Sequence, residues 1–247
     1  MKTIKYIGVF LILIMYACNN DDDANDLLVI DDNSNSLMIT YEKERIEITF
    51  LEIGETESPT VNWSEEKGSF SATSLTTVGG DDLVGKAVFI DEETGVLTWD
   101  RSLPLGESEI FVTASNSSET ATTTLAIKNT FVKGFFVGGF NNDTSDDPDI
   151  STIINDTFLE LLEDRTAIFS SEDPTFSGTG TWVAEGSVIL IEYTTTDNPG
   201  ENFVMQGSMV GRTNVLPIVL FEGRWGKDLN ADNNIEDVMG LFLFEID

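Results

Sequence analysis

The sequence predicts an all-β protein, and three observations carry that reading. Apolar and polar residues alternate with period two, turn-forming clusters recur about every ten residues, and threonine, valine, isoleucine and phenylalanine are abundant. In Arg45–Glu52, Ile46, Ile48 and Phe50 face one way while Glu47, Thr49 and Leu51 face the other. Ile110, Val112 and Ala114 repeat this pattern against Phe111, Thr113 and Ser115. No segment patterns as a helix longer than a turn or two. No glycine-rich phosphate loop is present, which argues against a nucleotide-binding α/β sheet.

The expected strands form two groups that meet between about Lys128 and Lys133. Residues 36–128 provide strands at Leu37–Tyr41, Arg45–Ile53, Thr60–Trp63, Ala87–Ile90, Val96–Trp99, Glu109–Asn116 and Thr120–Ile127. Asp91 and Thr94-Gly95 build a turn, with glycine supplying positive φ. Residues 129–247 provide strands at Val132–Asn141, Thr157–Glu163, Thr166–Ser170, Gly178–Ala184, Val188–Thr195, Asn202–Val210, Val215–Trp225 and Val238–Ile246. Their short connections suit an antiparallel eight-stranded meander, closed as a barrel or folded as a second sandwich. Gly180 and Gly223 each stand two residues before a tryptophan, as glycines do at bends or bulges where a barrel closes.

The chain has 13 basic and 44 acidic residues and a formal charge of −31. Such a surface repels phosphate backbones, so nucleic acid is not an expected partner. There is no histidine, which removes Ser-His-Asp and Cys-His catalysis together with histidine metal sites. No G-x-S-x-G elbow occurs, and Ser64-Glu65-Glu66-Lys67 matches S-x-x-K without a companion motif. Glycoside hydrolysis needs only two carboxylates, but nothing among so many acids singles out a pair. Trp63, Trp182 and Trp225 are candidates for stacking on a sugar, set against burial in strands; Trp99, at the end of an alternating strand, reads as core.

Cys18 is the only cysteine, so no disulfide forms within the chain. Lys2 and Lys5, an apolar run from Ile7 to Tyr16 and Ala17 before the thiol make residues 1–17 a secretory leader. The run is shorter than the roughly 18 residues of a membrane span. Met15-Tyr16-Ala17-Cys18 resembles the lipobox of bacterial lipoproteins, which implies that Cys18 becomes the lipidated first residue. Asp21, Asp22 and Asp23 resemble the acidic export tag of surface lipoproteins in some Gram-negative bacteria. The expected location is therefore the outer face of the outer membrane, held through the lipid anchor on a flexible acidic tether, residues 18–35. Loss of Lys2 and Lys5 with the leader takes the formal charge from −31 to −33.

Two further resemblances concern the folded part. Asp91, Thr94-Gly95, Leu97-Thr98-Trp99, Leu103-Pro104, Gly106 and Val112-Thr113-Ala114 with Asn116 resemble immunoglobulin-like and cadherin-like modules of bacterial surface proteins. In that family such modules are mostly spacers or adhesive units, so an immunoglobulin-like sandwich is expected over 36–128. The pattern of 129–247 resembles lipocalin-like eight-stranded barrels of bacterial lipoproteins.

One acidic loop has ordered spacing. Asp228, Asn230 and Asp232 stand at positions 1, 3 and 5, and Ile235 at position 8, of a stretch that resembles the start of an EF-hand or dockerin calcium loop. Asn233 takes the usual glycine place and tolerates the left-handed conformation. Met239 replaces the bidentate glutamate at position 12, leaving Glu236 or Asp237 to close the shell around Ca2+. The alternative is an acidic hairpin loop without an ion. Asn141–Asp149, with Asp143, Asp146, Asp147, Pro148 and Asp149, lacks comparable spacing and reads as a solvated loop.

The functional expectation is a non-catalytic surface lipoprotein, in which a spacer module holds a barrel away from the membrane for adhesion or for capture of a glycan or small apolar ligand. A carboxylate-based hydrolase of surface polysaccharide is the alternative.

Overall fold

The computed structural model describes residues 36–76, 82–145, 149–153, 156–171, 176–213 and 218–246. The leader 1–17, Cys18, the tag Asp21–Asp23 and the rest of the tether to residue 35 lie outside the described residues, as do Asp146, Asp147 and Pro148. Among the described residues the protein is all-β apart from a single 3-10 turn at Ile150–Thr152.

Nine strands come first: β1 (Met38–Thr40), β2 (Arg45–Thr49), β3 (Gly54–Glu55), β4 (Thr60–Asn62), β5 (Ser69–Thr76), β6 (Val88–Ile90), β7 (Leu97–Trp99), β8 (Gly106–Ser115) and β9 (Thr120–Thr130). They form sheets β1-β4, β2-β9-β8-β5 and β3-β7-β6. All neighbours are antiparallel except β2 and β9, which run parallel. The inward residues of all three sheets meet in one core that includes Ile39, Val88, Leu97, Trp99, Val112 and Leu125. Trp99 is core, as its alternating strand predicts. The turn before β7 also forms as expected: the Asp91 carboxylate accepts the N–H groups of Glu93 and Thr94, and Gly95 has φ +74°.

Two features of this part escape the sequence pattern. β5 is an eight-residue strand that hydropathy misses, because after Phe70 its inward residues Ala72 and Ser74 are small, while its other large apolar residue, Leu75, is exposed. The expected single strand 45–53 is broken after Thr49, where Leu51 takes φ +73° and the chain turns into β3.

Eight strands follow: β10 (Gly134–Phe140), β11 (Thr157–Leu161), β12 (Thr166–Ser171), β13 (Ser177–Glu185), β14 (Val188–Thr195), β15 (Asn202–Gly211), β16 (Val219–Asp228) and β17 (Asp237–Ile246). Each pairs antiparallel with the next, and β17 pairs with β10, so the meander closes into a barrel. Closure removes every sheet edge. Inward residues are large and aromatic: Phe136, Phe169, Trp182, Phe221, Phe242 and Phe244 are fully buried. Outward positions carry Glu160, Glu192, Glu222, Arg224 and Glu245 among exposed apolar residues such as Phe135, Val183 and Val210.

Gly180 and Gly223 sit where strands press together. A Cβ on Gly180 would lie 1.8 Å from the Glu192 carbonyl oxygen, and one on Gly223 would lie 2.2 Å from that of Gln206. The bulge itself falls later, between Trp225 and Gly226, where the β16–β17 register shifts.

The passage from one core to the next is short. Ile127 lies in the first core, while Phe131 packs in the barrel core beside Phe50 and Leu105. These three residues close one end of the barrel, near Trp182, whose ring lies 5.3 Å from that of Phe131. The backbone is close-packed here too, since a Cβ on Gly211 would meet the Arg101 carbonyl oxygen at 1.9 Å.

Candidate functional site at the open end of the barrel

The far end of the barrel carries a cavity of about 310 Å³. The alternation of strands places it at the end of β10, β14 and β16 and at the start of β13, β15 and β17. Its apolar lining is Phe140, Phe176, Tyr193, Phe203, Trp225 and Met239. Polar groups stand among and around them: Asn142, Thr195, Asp197, Asn198, Glu201 and Lys227. The volume is at the small end of the roughly 300–1,000 Å³ found for ligand pockets.

The two look-alike Gly-x-Trp segments end in opposite surroundings. Trp182 is buried at the closed end; its indole N–H donates to the Leu162 carbonyl, and the Arg165 guanidinium lies 4.1 Å from its ring centre. Trp225 is half-buried at the open end, where its N–H donates to the Asn141 carbonyl and fixes the ring against the cavity. Of the three tryptophans proposed to meet a sugar, Trp225 lines this cavity. Trp182 is core, and Trp63 packs edge-on against Phe70 in the N-terminal part.

The polar groups divide by what they already bond. The Lys227 ammonium lies 2.9 Å from a Glu201 carboxylate oxygen. The Thr195 hydroxyl, by contrast, is buried without a hydrogen-bond partner among the described residues. Burial, and then the nearby Asp197 carboxylate, push the Tyr193 phenol well above its ordinary pKa. Sequence alternation marks Tyr193, Thr195, Phe203 and Trp225 as strand residues, but only closure of the barrel shows that they share one end. Asp197, Asn198 and Glu201 lie in the β14–β15 connection and had no sequence signal beyond polarity.

The β16–β17 loop is built around Asp228. Its Oδ1 accepts the N–H groups of Asn230, Ala231 and Asp232, and its Oδ2 accepts that of Asn233. Desolvation pushes the Asp228 pKa up, but the four backbone donors more than offset it and hold the group below the usual carboxylate range. Asn233 takes φ +69°, the left-handed conformation expected of it, and Ala231 does so as well at φ +60°. Carboxylate oxygens of Asp228, Asp232 and Glu236 all lie within 4.8 Å of one another. Glu236 also accepts the Leu229 N–H, and the Asn230 amide donates to Asp232. Asp237 stands opposite Lys227 in the β16–β17 ladder.

Asp143 and Asp149 of the other acidic loop cap their own turns. Asp143 accepts the N–H groups of Ser145 and Asp149, and Asp149 accepts that of Ser151. Among the described residues, no helix is long and apolar enough to cross a membrane. Comparison with known proteins finds no matching family model and no matching curated relative.

Proposed function

We propose that this protein is a non-catalytic, surface-displayed lipoprotein whose barrel captures a small ligand in the mouth lined by Phe140, Tyr193, Phe203 and Trp225. The observation that carries the reading is the asymmetry of the barrel. One end is filled by Phe50, Leu105 and Phe131 from the β2–β3, β7–β8 and β9–β10 connections, and the other end carries an aromatic cavity. A cavity with an aromatic wall at one end of an otherwise filled barrel suits capture of a small ligand from the medium. The N-terminal unit, by its sequence resemblance to immunoglobulin-like modules, acts in this reading as the spacer. Lipidation at Cys18 and export through Asp21–Asp23 supply the address.

A screen of glycans and small apolar ligands by thermal shift, followed by product analysis on every hit, tests the proposal. Saturable binding without product is the expected result. Product formation that is lost on replacing an acidic pair would establish the hydrolase instead. The address is tested separately by mass spectrometry of the mature N-terminal peptide, where an unmodified Cys18 would contradict the anchor.

We propose in addition that Asp228, Asp232 and Glu236 hold Ca2+. The support is the approach of their oxygens, together with spare acceptor capacity on Asp228 Oδ2, which takes a single backbone donor. Affinity should be weak, roughly 0.1–1 mM, as at other extracellular sites. Millimolar calcium should then raise the melting temperature, and Asp232→Ala should remove that rise. Asp232 is the better test position, because Asp228→Ala also strips four N–H groups of their acceptor and lowers stability with or without the ion. An undiminished calcium response in Asp232→Ala would show only screening of the acidic surface.

A further inference from the structure

The rings at the open end form a closed circuit. Phe140 touches Trp225 with centroids 5.3 Å apart, Trp225 touches Phe203 at 6.2 Å, and Phe203 touches Tyr193 at 5.5 Å. Tyr193 then meets Phe169 at 4.4 Å, and Phe169 returns to Phe140 at 6.4 Å. Phe169 is buried beneath the cavity, and the other four rings line it. Phe140, Tyr193, Phe203 and Trp225 make up the aromatic part of the cavity wall, and aromatic rings attract a cation held clear of water.

The charges around the circuit point the same way. Asp197 and Glu201 stand at the mouth, and Lys227 is bound to Glu201 rather than left to repel a cation. The Arg165 guanidinium already lies over the ring of Trp182 at the closed end, whereas no mouth ring has a cation set over it among the described residues. At a formal charge of −31, the whole molecule also draws cations from solution.

From these observations we infer that the mouth binds a small organic cation whose charged nitrogen is fully alkylated and carried beside a short polar arm. The inference rests on the proposed reading of the mouth as a ligand site and names the class of ligand. Full alkylation follows from the hydrogen-bond inventory. A primary ammonium brings three N–H donors, yet below the rim carboxylates the buried wall offers, among the described residues, one polar atom without a hydrogen-bond partner, the Thr195 hydroxyl. A quaternary nitrogen needs no acceptors and places methyl groups against the rings. The Thr195 hydroxyl is then left to meet the polar arm, and Asp197 balances the charge from the rim.

The test is a calorimetric comparison of choline with 3,3-dimethyl-1-butanol, which has the same shape with carbon in place of the charged nitrogen. Choline should bind the full-length protein at least tenfold more tightly than the neutral compound. Asp197 is exposed and its carboxylate accepts the Asn198 amide N–H, so Asp197→Asn should fold normally. This variant should weaken choline at least threefold and leave the neutral compound unchanged. Trp225→Leu should weaken choline further. Equal affinity for the two compounds would overturn the cation inference while leaving the mouth an apolar ligand site. Choline binding unaltered in both variants would overturn the location. Failure of choline to bind at millimolar concentration would overturn the inference, and the broader reading would then stand or fall on the ligand screen.

Discussion

Phe131→Ala should lower stability by about 3–5 kcal/mol, the cost of removing a buried phenylalanine and leaving a cavity. For a folded unit of this size that corresponds to a fall in melting temperature of roughly 10 °C. Phe131 is 2 % exposed and touches the rings of Phe50, Phe136 and Trp182. It therefore joins residues from both sides of the passage between the two cores. The same geometry bears on the proposed division between 36–128 and 129–247. A fragment of residues 129–247 should unfold cooperatively but at a lower temperature than the whole protein, because Phe50 and Leu105 no longer cover its closed end. Thermal unfolding followed by near-ultraviolet circular dichroism measures both effects. A fragment as stable as the whole protein would mean that the cap contributes little.

Gly180→Val should be at least as damaging. Its Cβ would be forced to 1.8 Å from a carbonyl oxygen and 2.7 Å from the Tyr193 Cα, and neither is the end of a flexible side chain. Relief requires opening the β13–β14 ladder between Gly180 and Tyr193, with loss of hydrogen bonds that each contribute about 1 kcal/mol and of the packing around Tyr193 and Trp182. Loss of the barrel in expressed protein, read as absent near-ultraviolet signal, is the expected outcome. The equivalent change at Thr181, whose side chain points outward on the same strand, should leave the barrel folded.

The barrel was legible because its strands are long and bury one face. Alternation in Val188–Thr195 and Asn202–Gly211 is strong enough that the expected and observed limits agree within a residue. Strand β5 was not legible because its inward positions after Phe70 are small, so packing by its neighbours decides its state and hydropathy does not. The parallel pairing of β2 with β9 also leaves no local trace, since it depends on residues about 80 positions apart. The cavity belongs to the same class. Trp182 and Trp225 share a local pattern, and only the register of the closed barrel sends one to the capped end and the other to the mouth. Asp197 and Glu201 acquire meaning only once β14 and β15 place them beside Tyr193. The acidic loop was legible in its spacing and in the left-handed turn at Asn233. The dominance of Asp228 as an acceptor for four backbone groups came from the structure.

Capture of a ligand at the open end of the barrel is tested by tryptophan emission during titration with a ligand found in the screen. Of the four tryptophans, only Trp225 lines the mouth. The emission should change saturably in the wild-type protein and in Trp63→Phe, and the change should be lost in Trp225→Phe. A saturable change that persists in Trp225→Phe and disappears in Trp63→Phe would place the ligand on the N-terminal sheets and contradict capture at the mouth.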